Sequence, residues 1–118
     1  MPTDQEYKDS LKIDIPEVLK ATALPQHVYE RILKSSLTST EASLIELNAA
    51  LAGKEWKKIG TIAHELKGVY ANLRVVSLCE LATKMCEVAR AESSVEQVAE
   101  LKSQFKVLFE RLKSLLLT

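Results

Sequence analysis

Apolar residues recur along this chain at steps of three and four, and no stretch keeps the two-residue alternation of a half-buried strand. Val28, Ile32, Leu33 and Leu37 hold helical spacing, and Leu44, Leu47 and Leu51 continue it. Between them Ser35-Ser36-Leu37-Thr38-Ser39-Thr40 is a run of weak helix formers, yet one long helix is expected across it. Trp56, Ile59, Ile62, Leu66, Val69 and Leu73 mark one side of a helix from Glu55 to about Leu73. Val75, Leu78, Cys79, Ala82, Met85, Cys86 and Ala89 do the same from Val75 to about Arg90. Val98, Leu101, Phe105, Leu108, Leu112 and Leu115 alternate steps of three and four to the end of the chain, the pattern of a bundle seam.

The punctuation fits these elements. Pro16 suits the first turn of a short helix carrying Ile13, Ile15, Val18 and Leu19, because its missing N–H is spare there, and Pro25 stops that helix and opens the next. Gly53 reads as a C′ residue. Ser93 and Ser94, with Glu96 or Gln97 three residues on, have the spacing of a capping box before the last helix. The expected fold is all-α: an antiparallel up-down four-helix bundle over residues 13–118, with the short first helix capping one end and residues 1–12 as a flexible lead.

Composition narrows the function classes. A length of 118 residues suits one domain, and 47% hydrophobic residues suffice for a core. Sixteen basic residues against sixteen acidic ones leave no net field to attract nucleic acid or an anionic membrane. Neither an apolar targeting segment nor a run of about 20 apolar residues occurs, so a cytoplasmic protein is expected. Cys79 and Cys86, on one helix, stand about 10.5 Å apart along its axis, too far for a disulfide. Both are assigned to packing rather than to a metal, and His27 to an ordinary polar role.

One helix holds something that packing does not require. With His64 at zero and 100° per residue, Ile59, Ile62, Leu66, Val69 and Leu73 fall within about 40° of the opposite side, so His64 points outward. Its own face carries Lys57, Gly60, Thr61, Lys67, Gly68 and Ala71 within about 60°, with Asn72 at its edge. Two of three glycines flank the histidine by one turn, each costing a helix interior roughly 1 kcal/mol relative to Ala. Small residues on the polar side clear space above an imidazole for something arriving from outside.

Ala63-His64-Glu65-Leu66-Lys67-Gly68 followed by Asn72, with Leu78, Cys79 and Leu81 in the next helix, resembles the signature of histidine-containing phosphotransfer (HPt) domains of bacterial phosphorelays. The lead-in Ile13-Asp14-Ile15 and the helix layout fit that family over about 100 residues. The resemblance implies that His64 accepts a phosphoryl group from an aspartyl-phosphate receiver domain and passes it to another receiver. Lys67 would neutralise the phosphoryl oxygens, and Gly68 and Gly60 would keep the approach open. It further implies a phosphocarrier without kinase activity, a monomer whose partners are receiver domains of a hybrid sensor kinase or response regulator. No cofactor is expected, and any magnesium belongs to the receiver. Lys57, Gly60, Thr61, Ala71 and Asn72 would meet that partner. Arg74 stands where the family often has the glycine that closes the helix. The alternatives are a phosphoacceptor domain of a chemotaxis-type histidine kinase, a helical adaptor or dimerisation module without chemistry, and, more distantly, a metal-dependent enzyme.

Overall fold

Each amphipathic stripe becomes a helix in the computed structural model, which describes residues 4–13 and 15–116. Residues 1–3 of the expected lead, Asp14 of the acidic lead-in and residues 117–118 lie outside the described residues. The helices are α1 (Asp4–Leu11), α2 (Ile15–Thr22), α3 (Gln26–Ala52), α4 (Trp56–Asn72), α5 (Val76–Ala91) and α6 (Val95–Leu116), and no strand occurs among the described residues. The all-α expectation is met. Packing closes a ring: α3 lies against α4, α4 against α5, α5 against α6, and α6 back against α3.

The serine- and threonine-rich stretch does not break α3, which runs unbroken for 27 residues. Leu33, Leu37, Leu44 and Leu47 bury one stripe along it, and a buried aliphatic side chain contributes roughly 1.5–3 kcal/mol, far more than the propensity lost at each serine. Thr40 falls in the same stripe, 2% exposed, and its hydroxyl shares a 2.6 Å hydrogen bond with the Tyr70 hydroxyl of α4. Tyr70 also meets Phe105 of α6 edge to face, with ring centroids 5.7 Å apart. Burial raises the Tyr70 phenol to about 12, against a lowering from its Thr40 bond. A second phenol, Tyr29, donates to the Leu73 carbonyl and ties the start of α3 to the end of α4.

The lead expected to be loose is helical over Asp4–Leu11, and α1 lies against α5 and α6. Its polar face hides the signal. Gln5 donates to Asp9 one turn on, at 2.9 Å, and Leu11 is fully buried. Lys12 then reaches Glu80 of α5 at 3.0 Å. α2 contributes Val18 to the core.

Helix ends depart from the expected glycine. Gly53 has φ −89°, and the left-handed residue is Lys54, φ 52°. Lys54 N–H donates to the Leu51 carbonyl and Glu55 N–H to the Ala50 carbonyl, the paired bonds of a Schellman motif. α4 ends identically: Arg74 (φ 62°) donates to Ala71, and Val75 to Tyr70. Lys12, Ala23 and Glu92 are left-handed too, and no glycine is. The absent family glycine therefore leaves the end of α4 intact, at the cost of a strained arginine. Arg74→Gly should raise stability by about 0.5–1 kcal/mol, since a Cβ disfavours this conformation. A urea midpoint that falls instead would show that the arginine side chain contributes more than the strain costs. At the start of α6, Ser94 Oγ accepts from Gln97 N–H at 3.2 Å, as the capping spacing requires.

Candidate functional site

His64 is exposed on α4, on the side away from Ile59, Ile62 and Leu66, all of which are buried. The buried side is wider than the aliphatic stripe, because Ala63 and Tyr70 are fully buried as well. Small residues let α5 come close here. A Cβ built on Gly60 would lie 3.7 Å from the Ala89 Cβ, an ordinary contact. Gly60 is thus half-buried, with α5 alongside it. Gly68 has open space around it: nothing lies within 4 Å of a Cβ placed there.

An open depression of about 530 Å³ runs between α4 and α5. Trp56, Lys57, Gly60, Thr61, His64 and Glu65 line it from α4, and Cys86, Ala89, Arg90 and Glu92 from α5 and its end. Of the expected site residues, Lys57, Gly60, Thr61 and His64 are therefore gathered in one place. Thr61 Oγ1 is turned back to its own helix and donates to the Lys57 carbonyl at 3.0 Å. Lys67 is half-buried, and Gly68, Ala71 and Asn72 are exposed further along α4, outside that lining. His27 is exposed in the first turn of α3.

Electrostatics in the groove centre on Cys86. Burial pushes its thiol up, and the Lys67 ammonium and the Arg90 guanidinium pull against that. Both cations therefore act on a side chain that lines the His64 depression. The lining of the depression carries Lys57 and Arg90 together with Glu65 and Glu92. Cys79 and Cys86 are free and half-buried against the core. No group of three or more His, Cys, Asp or Glu that could hold a metal ion occurs among the described residues. Nor is any helix among them long and apolar enough to cross a membrane.

Arg90, Glu92 and the wall formed by Cys86 and Ala89 are absent from the sequence-based site. A signal for them exists. Helices joined by a short turn lie side by side, so counting outward from the turn at 73–75 sets 83–90 opposite 58–65, as the Gly60–Ala89 contact confirms. The Hpt domain family model matches residues 31–115, from early α3 almost to the end of α6. Neither a curated protein nor a solved structure matches the chain.

Proposed function

The chain belongs to the Hpt domain family, and we propose that it is a phosphocarrier that accepts a phosphoryl group on His64 from a receiver domain and delivers it to another receiver. The observation that carries the assignment to this residue is the exposed His64 at the edge of a cation-bearing groove, followed one turn later by open space at Gly68. Three-residue connections after α3, α4 and α5 support an antiparallel, up-down order for the four long helices.

In the proposed transfer, the lone pair of the unprotonated ring nitrogen of His64 forms an N–P bond while the acyl-phosphate P–O bond of the receiver breaks. The receiver's carboxylate leaves with that electron pair. The second ring nitrogen keeps its proton during attack and releases it to solvent afterwards. Return transfer to an aspartate reverses these steps. Lys67 and Arg90 neutralise the phosphoryl oxygens, and Lys57 supplies a further positive edge. The chain contributes position and charge, with any magnesium supplied by the receiver. A monomer in the cytoplasm, with receivers as partners, goes with this reading.

The test uses Gly68, where access and stability oppose each other. In a helix interior with open space around the Cβ, Gly68→Ala should stabilise the fold by up to roughly 1 kcal/mol. Gly68→Gln should keep much of that gain, while its side chain leans back over the preceding turn toward His64 and slows transfer from a phosphorylated receiver. A thermal midpoint and a transfer rate on each preparation decide the matter. If Gly68→Gln transfers as fast as the parent chain, the partner does not approach across this face.

A further inference from the structure

Across the ring of helices from the His64 groove lies the groove between α3 and α6. Lys113 of α6 bridges Glu41 of α3, and the Lys54 charge just after α3 reaches Glu96 at the start of α6, so the two helices run antiparallel. Counting from the Lys113–Glu41 pair, Lys106 and Lys102 stand about 10.5 and 16.5 Å back along α6, within about 20° of Lys113 around the helix. On α3, Ile45, Asn48 and Ala52 advance alongside them from Glu41, within about 40° of it. One edge of the groove is therefore a row of lysines. The other carries no charge past Glu41.

The lysine row is short of acids. Lys113 takes Glu41 and stands 3.8 Å from Glu110, whereas Lys102 and Lys106 have no acidic partner among the described residues. These two lie one turn apart, where like charges disfavour a helix. Lys102 is half-buried, and burial, with Lys106 beside it, pulls its ammonium below its ordinary value. On the facing edge Ile45 is 70% exposed, the most exposed large aliphatic side chain among the described residues. An exposed isoleucine alone is ordinary; next to two unneutralised lysines it forms half of a pattern.

Spacing selects what fits. Side chains one turn apart on a helix stand about 6 Å from each other. On an extended chain, residues two apart repeat at about 6.7 Å, and the residue between them points to the other side. A segment laid extended along the groove thus sets two carboxylates on Lys102 and Lys106 of α6, and an apolar side chain on Ile45 of α3. Asn48, exposed on the same edge, offers a donor and an acceptor to the segment's backbone. Nucleic acid fits worse, since a chain of zero net charge presents it with only this pair of free cations here.

We propose that the α3–α6 groove is a second docking surface, which takes an extended acidic segment of a partner protein whose carboxylates alternate with apolar side chains. Lys102 and Lys106 bind the carboxylates, and Ile45 covers the apolar residue between them. Because the His64 groove lies on the other side of the ring, the segment and a receiver occupy the chain together. The inference stands apart from the phosphocarrier reading of His64.

The full chain, isotope-labelled for amide NMR, is titrated with a short synthetic peptide of alternating glutamate and leucine. Shifts should gather at Ile45, Asn48, Lys102 and Lys106 and leave His64 unmoved, and added salt should weaken the binding. A peptide with lysine in place of glutamate should leave the spectrum unchanged. Ile45→Ser and Lys106→Glu alter exposed residues, and circular dichroism checks that both variants fold. Lys106→Glu should weaken binding about fivefold, the scale of one exposed ion pair, and Ile45→Ser should weaken it through lost apolar contact. Shifts gathered at Lys57 and Arg90 instead would overturn the proposal. So would binding that neither substitution changes, no shift at millimolar peptide, or a preference for phosphatidylserine vesicles over the peptide.

Discussion

His64→Gln takes no label from any phosphorylated receiver or from phosphoramidate, and its helix content and urea midpoint match the parent chain. The side chain is exposed and lines an open groove, so its amide replacement disturbs no core contact. Exposed substitutions of this kind usually fall within about 0.5 kcal/mol. Chemistry, by contrast, has no substitute at this position, since an amide nitrogen offers no nucleophilic lone pair. His27 is exposed as well but stands at the start of α3, outside the groove that gathers Lys57 and Arg90. Label remaining on the variant, or transferred to His27, would show that the groove is not the reacting site.

Tyr70→Ala carries the largest stability cost, about 3–5 kcal/mol, the range for truncating a large buried aromatic side chain. Tyr70 is fully buried, stacks edge to face on Phe105 and bonds to Thr40, so it joins α3, α4 and α6 at one point. Against a total stability of about 5–15 kcal/mol for an ordinary domain, such a loss leaves a fold near its limit. Tyr70→Phe separates the ring from the hydroxyl. It keeps the packing, strands the Thr40 hydroxyl in the core and should cost about 1–2 kcal/mol. Urea midpoints of both variants test this; a Tyr70→Phe as unstable as Tyr70→Ala would put the hydroxyl, not the ring, at the centre of the junction.

The long helices can be read from the sequence because each buries a stripe whose period survives in the residue order. α3 shows how far that reading goes: serines and threonines at 35–40 suggest a bend, but the leucines on either side and the buried Thr40 keep the helix whole. α1 defeats it. Its residues are mostly polar, and what holds it is Leu11, with Lys12 just beyond reaching Glu80, 68 residues away. The turns mislead for another reason, since glycine is the usual left-handed residue and here Lys54, Arg74 and Glu92 take that conformation.

The candidate site divides along the same line. His64, Gly68 and Lys57 follow from angles around one helix, and the structure leaves all three exposed. Gly60 obeys the same angle and is nonetheless turned to Ala89, because α5 approaches from the side that the aliphatic stripe does not mark. Arg90 comes from that second helix. Periodicity within α4 carries no information about what α5 sets opposite it, so the second cation is found only when the two helices are paired.

The central claim is that one histidine carries the phosphoryl group. Its most direct test is to label the parent chain with a charged receiver, digest it at alkaline pH, where phosphohistidine survives, and locate the phosphate by tandem mass spectrometry. The account predicts a single acid-labile phosphate, on His64. Phosphate on His27 or on a carboxylate, with His64 unmodified, would contradict it.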